Sequence, residues 1–78
     1  MKNKVLEIML NARPDVDFES ETKLIDEGIL DSFDIISIVS DLNEEFEINI
    51  TVNELEAENF NSLEAIVKLV EGMSNLWR

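Results

Sequence analysis

The sequence predicts an all-α fold: a four-helix bundle with three longer helices, one short helix and a long first loop. Three observations predict it. Apolar residues recur at helical spacing in three separate stretches, cap-like residues stand where the later stretches begin, and the links around residues 47–51 and 57–61 are short enough to make successive helices neighbours in space. At 78 residues the chain is one domain, 1–78, and buries only roughly 60% of the surface its unfolded form exposes. Its composition, 45% hydrophobic and 31% charged, is that of a folding chain and not of a disordered one.

The first helix is expected from about Lys2 to Ala12, where Val5, Ile8, Met9 and Ala12 share one face. It ends before Pro14, because a residue preceding proline is pushed out of the α region. Residues 15–31 show no sustained period, with Leu24, Ile25, Ile29 and Leu30 as anchors among acids. A connection of that length is often functional. Gly28 suits a positive φ that turns the chain toward the next helix. Asp15, Asp17, Glu19, Glu21 and Asp26 fall at positions 1, 3, 5, 7 and 12 of an EF-hand-like loop. Ser20 stands where that loop needs glycine, and Asp26 where it needs a bidentate glutamate, so these residues read as solvated acids with no metal.

The second helix is expected from Asp31 or Ser32 to about Phe46, with Ile35, Ile38, Val39, Leu42 and Phe46 as its core stripe. Phe33, Ile36 and Ser40 fall on another side, beside Ser37, Asn43 and Glu44. That leaves two large apolar side chains near the helix start without a core to enter. They are either a satellite contact with the loop or a partner-binding patch. Ile48-Asn49-Ile50 reads as a short extended link. Thr51-Val52-Asn53-Glu54 fits a capping box that opens a one- to two-turn helix over Val52 to Glu56 or Ala57. Asn61-Ser62-Leu63-Glu64 is a second cap-like signal. It opens a helix with Leu63, Ile66, Val70, Met73 and Trp77 on one face and Leu69 alongside, Trp77 being expected as its last core contact.

Composition also restricts the chemistry. There is no cysteine and no histidine, which removes disulfides, thiolate-metal sites, the usual general base and the commonest metal ligand. Ser-His, Cys-His and zinc-hydrolase schemes cannot be assembled from this chain alone, and a domain this small has little room for a substrate cleft. An intrinsic enzyme is not expected. No signal-peptide pattern and no apolar run of membrane-spanning length is present, so the expected location is the cytoplasm. The net charge is −12, and residues 14–64 hold sixteen acids against the single base Lys23. Such a field repels nucleic acid and anionic lipid and speeds encounter with proteins that present basic patches.

Ser32 then stands out by position. A serine or aspartate opening a helix is commonly a cap, which leaves an acidic helical adaptor as one reading of the chain. A helix start also offers free N–H groups and the positive end of the dipole, which favour a phosphate. A serine whose hydroxyl carries a phosphodiester fits that environment.

The run Gly28-Ile29-Leu30-Asp31-Ser32-Phe33-Asp34 resembles the attachment motif of the phosphopantetheine-dependent carrier proteins, the acyl, peptidyl and D-alanyl carriers. The resemblance covers nearly the whole chain, including Glu44-Glu45-Phe46 and Ile48-Asn49-Ile50. It implies that Ser32 is esterified by 4'-phosphopantetheine, taken from coenzyme A by a separate phosphopantetheinyl transferase, and that the arm's thiol carries an acyl or aminoacyl group as a thioester. Asp31 matches the motif aspartate that helps the transferase position its metal and cofactor. Phe33 and Ile36 match helix positions touched by partner enzymes. Asp34, Asp41, Glu44 and Glu45 match acidic contacts around them. Ser37 and Ser40 occupy places where fatty-acid carriers often have an acid and a larger apolar residue.

The implied partners are the transferase, a loading ligase and acceptor enzymes with basic patches, each meeting a monomeric carrier. Leu30 and Phe33 depart from the fatty-acid pattern. The Leu-Asp-Ser form, the run of Ile48, Ile50, Val52 and Glu54, and the Phe60-Asn61 pair are similar to the D-alanyl carriers of teichoic acid synthesis. A stand-alone peptidyl or specialised acyl carrier is the other form the resemblance allows.

Overall fold

A computed structural model describes residues 2–74. Four α-helices follow one another: α1 (Lys2–Ala12), α2 (Ser32–Phe46), α3 (Ala57–Phe60) and α4 (Leu63–Ser74). A 3-10 turn at Val52–Glu54 precedes α3, and the remaining described residues are loop and turn, with no strand among them. The fold is the expected helical bundle. Helices α1, α2 and α4 pack against one another, and α3 lies on α4.

The apolar stripes account for this packing. Val5, Ile8 and Met9 of α1, Ile38 and Leu42 of α2, and Leu63, Ile66 and Val70 of α4 are buried together. Ile35, Val39, Phe46, Leu69 and Met73 border that core, half-buried. Trp77 lies outside the described residues.

The long first loop is a chain of tight turns tied to the core. Phe18, Leu24 and Leu30 are its buried side chains, with Ile25 and Ile29 half-buried. Phe18 is the one the sequence reading missed, and it is only 2% exposed. Its neighbours supply the local turn, since the N–H groups of Ser20 and Glu21 both donate to the Asp17 carbonyl. Farther along, the Leu30 N–H donates to the Leu24 carbonyl at 3.0 Å, closing a turn in which Gly28 adopts φ +69° as expected.

Asn61 fastens this loop to the far end of the chain. Its side-chain oxygen accepts from the N–H groups of Ile25 and Asp26, its amide donates to Asp26, and its carbonyl accepts from Leu24. The cap of α4 is Ser62, whose hydroxyl accepts from the Ala65 N–H at 3.1 Å.

The short helix differs from expectation. The capping box at Thr51 and Glu54 forms, but it opens only the 3-10 turn. Leu55, at φ −82° and ψ 63°, then makes an inverse γ-turn in which the Glu56 N–H donates to the Glu54 carbonyl. The chain restarts as α3, and this second start carries Phe60 into the core, where it is 2% exposed. A helix read from local signals alone gave no account of that turn. Burial of Phe60, a tertiary effect, accompanies it.

The end of α2 contains the fold's only described non-glycine residue with positive φ. Glu47 closes the helix at φ 53° and ψ 47°, and Ile48 N–H reaches back to the Asn43 carbonyl. Asn43 also accepts through its side chain from Ile50 N–H at 2.8 Å, so Ile48 and Ile50 both enter the core while Asn49 faces water. An L-residue with a Cβ is disfavoured in the left-handed region and glycine is not. Replacing the exposed Glu47 by glycine is expected to stabilise the protein by about 0.5–1 kcal/mol, and to raise the midpoint of thermal unfolding accordingly.

Candidate phosphopantetheine attachment site

The site is built from the end of the loop and the first turn of α2. Asp31 is the N-cap, in extended backbone at φ −99° and ψ −177°. Its Oδ1 accepts from the Asp34 N–H at 2.9 Å, and Asp34 Oδ2 accepts in return from the Asp31 N–H at 3.2 Å. This reciprocal box fixes where α2 begins. Ser32 is therefore the first helical residue and not the cap, which corrects the reading that would leave it only a capping role. Its side chain is exposed, and the hydrogen bonds that order the turn are made by Asp31, Asp34 and Arg13 without its hydroxyl.

The first N–H groups of a helix have no acceptor within it. Asp31 satisfies that of Asp34, which leaves the N–H groups of Ser32 and Phe33 beside the exposed hydroxyl. A phosphodiester on Ser32 fits there, because donors and the positive helix end stand next to it while the hydroxyl has open access to water. No rearrangement of the core is required.

The outward face of α2 carries the other residues singled out in the sequence. Phe33 is 83% and Ile36 63% exposed, and Ser37, Ser40, Asp41 and Glu44 are exposed along the same helix. The satellite contact with the loop is thereby excluded for Phe33. Val52 and Leu55, after the helix, are the other large apolar side chains left open to water among the described residues. Asp34 differs from the remaining acids, since its side chain is only 15% exposed and is held by Arg13. Glu45 lies 4.0 Å from Lys4, across from α1.

Nothing in the sequence singles out Arg13. Its guanidinium donates from Nε and Nη2 to the Asp15 carboxylate, and from Nη1 to the Ile29 carbonyl and Asp34 Oδ2, both at 2.9 Å. Nothing local in the sequence announces the longer pairings, which span 16 and 21 residues. The hydrogen bond from Arg13 holds the Asp15 carboxyl below the usual carboxylate range.

A group whose folded value is depressed adds stability above its unfolded pKa and loses it as pH falls through the folded value. Asp15 thus adds its full share above about pH 4 and progressively less as the solution is made more acidic. Thermal melts between pH 2 and 6 are expected to show a shallower acid loss in Asp15→Asn than in the wild type.

Three of the loop acids are paired within the chain. Asp17 accepts from the Ser20 hydroxyl, Asp15 pairs with Arg13, and Asp26 accepts from Asn61. Among the described residues no group of three acids converges to hold an ion. No described helix is long and apolar enough to cross a membrane.

A helical bundle that presents one free serine hydroxyl at a helix start, on an acidic surface, is the architecture of a carrier domain. Comparison with protein families agrees: residues 4–70 match the model of the phosphopantetheine attachment site. The chain belongs to that family, a carrier with a covalently attached 4'-phosphopantetheine arm. No curated protein gives a match to it.

Proposed function

We propose that Ser32 bears the 4'-phosphopantetheine arm, and that the protein carries an acyl or aminoacyl group between enzymes of the cytoplasm. The observation that carries this reading is the exposed Ser32 hydroxyl in the first turn of α2, beside a cap made by Asp31, in a chain matched by the attachment-site family. The arm supplies a thiol on which cargo travels as a thioester. The chain's own residues do the rest. Asp31 sets the helix start and keeps an exposed carboxylate next to the hydroxyl, where a transferase that uses a metal would meet it. Phe33 and Ile36 give the partner enzymes an apolar contact, and Ser37, Ser40, Asp41 and Glu44 surround it with polar and acidic groups. Rim charges of this kind favour fast encounter and exchange over tight binding, which suits a carrier that visits a transferase, a loading ligase and an acceptor in turn.

The sequence pattern, similar to that of the D-alanyl carriers, favours a short aminoacyl cargo, with a peptidyl or specialised acyl carrier as the other form. The test is direct. Incubated with coenzyme A and a broad-specificity phosphopantetheinyl transferase, the apo protein gains the mass of one arm; an unchanged mass under conditions that load a control carrier contradicts the proposal.

A further inference from the structure

Arg13 sits at the mouth of the long loop and reaches both sides of the attachment serine. Its own N–H donates to the Met9 carbonyl at 2.9 Å, which keeps the residue on the last turn of α1. From there the guanidinium makes four hydrogen bonds. Two go to Asp15, where the loop begins. The other two leave a single nitrogen, Nη1, for the Ile29 carbonyl and Asp34 Oδ2. Ile29 precedes Ser32 by three residues and Asp34 follows it by two, so the contacts hold the backbone before the serine and the carboxylate after it.

Asp34 is also half of the box that fixes Asp31. A continuous set of bonds therefore runs from α1 through Arg13 and Asp34 to the residue preceding Ser32, and leaves the Ser32 hydroxyl itself unbound. The planar fork of arginine is needed for this. Lysine brings one compact ammonium, which cannot keep the bidentate Asp15 pair and the two Nη1 contacts together. Asp15 is the exposed end of the arrangement, its side chain 66% exposed against 15% for Asp34.

We infer that Arg13 is a positioning residue for the modification of Ser32, acting through Asp34 and the Ile29 carbonyl to hold the loop end and the helix start in the geometry a transferase meets. The inference rests on the assignment of the arm to Ser32. Holding a reacting hydroxyl in place before the encounter spares the ordering that a loose segment must undergo in the complex, and small misplacements of a reacting group cost up to about a hundredfold in rate.

The experiment measures kcat and KM for transfer from coenzyme A, followed by intact mass, well below the melting midpoint of each variant. Arg13→Ala is expected to lower kcat/KM by about tenfold, within the range that misplacement allows. Arg13→Lys restores little of it. Asp15→Ala stays near the wild type, because the two Nη1 contacts survive. Asp34→Ala is slowed as well, and Arg13→Ala with Asp34→Ala is no slower than the worse single variant, since both break one network. Should Arg13→Ala fail to fold, Arg13→Lys, which keeps the stem and the charge, carries the same comparison.

Equal kcat/KM for wild type and the Arg13 variants overturns the inference. So does a loss in Asp15→Ala as large as that in Arg13→Ala, or additive losses in the double variant. Failure of the wild type itself to take an arm overturns the assignment of Ser32 and is a separate result.

Discussion

Truncating Phe18 to alanine is expected to destabilise the protein by about 3–5 kcal/mol, the range for removing a buried aromatic ring. The whole stability of a chain this length is about 4–12 kcal/mol, so the loss takes a large share of it. The reason lies in the loop. Phe18 is the first of three buried side chains that hold residues 15–31 against the bundle, and it is the largest of them. It is 2% exposed, so almost all of its apolar surface leaves water on folding. Leu24 and Leu30 are fixed in addition by backbone bonds to Asn61 and to each other, whereas the turn around Phe18 is held by local bonds at Asp17. Urea unfolding should show the midpoint falling with little change in slope. A change of under about 1 kcal/mol would mean that the loop is not packed as described.

Replacing Ser32 by alanine is expected to do the opposite: abolish loading and leave the fold almost untouched. The cap of α2 is Asp31, and the box with Asp34 does not involve Ser32. An exposed residue at the first helical position, without hydrogen bonds to the turn, should change stability by no more than about 0.5 kcal/mol when it becomes alanine. Transfer from coenzyme A, in contrast, needs the hydroxyl as the group that is esterified. The variant should therefore melt with the wild type and show no mass increase after incubation with the transferase. A cap-only serine predicts another pattern, a loss of about 1 kcal/mol with partner binding intact. Loading of Ser32→Ala to the same extent as the wild type would move the arm to a different residue.

Much of this was legible in the sequence, and the reasons differ by element. The stripes of α1, α2 and α4 repeat often enough that local periodicity decides them, and Pro14 marks where α1 must stop. The start of α2 was legible to within one residue, because aspartate and serine are both good caps. Their order was settled by the reciprocal bonds of Asp31 and Asp34. Phe18 was hidden because a single apolar residue between acids has no period to reveal it. The inverse γ-turn at Leu55 was hidden because the capping box before it is a local signal, while the turn accompanies the burial of Phe60 in the core, a tertiary effect. Arg13 and Asn61 were hidden for a third reason. Neither carries a local sign of its distant partners: two of the four Arg13 guanidinium bonds reach residues 16 and 21 positions away, and the Asn61 side chain bonds residues at least 35 away. The helical wheel placed Phe33 and Ile36 off the core stripe but left open whether they pack on the loop or face water, which their exposure decides. The engagement of Asp34 by Arg13 had no local sign at all.

The central claim is that the arm sits on Ser32. Intact mass of the protein isolated from its native host, followed by mapping of the peptide that contains Ser32, tests it most directly. The account predicts one 4'-phosphopantetheine, with or without a short acyl or aminoacyl group on its thiol, on that peptide alone. A bare Ser32 peptide together with an arm on any other part of the chain contradicts it.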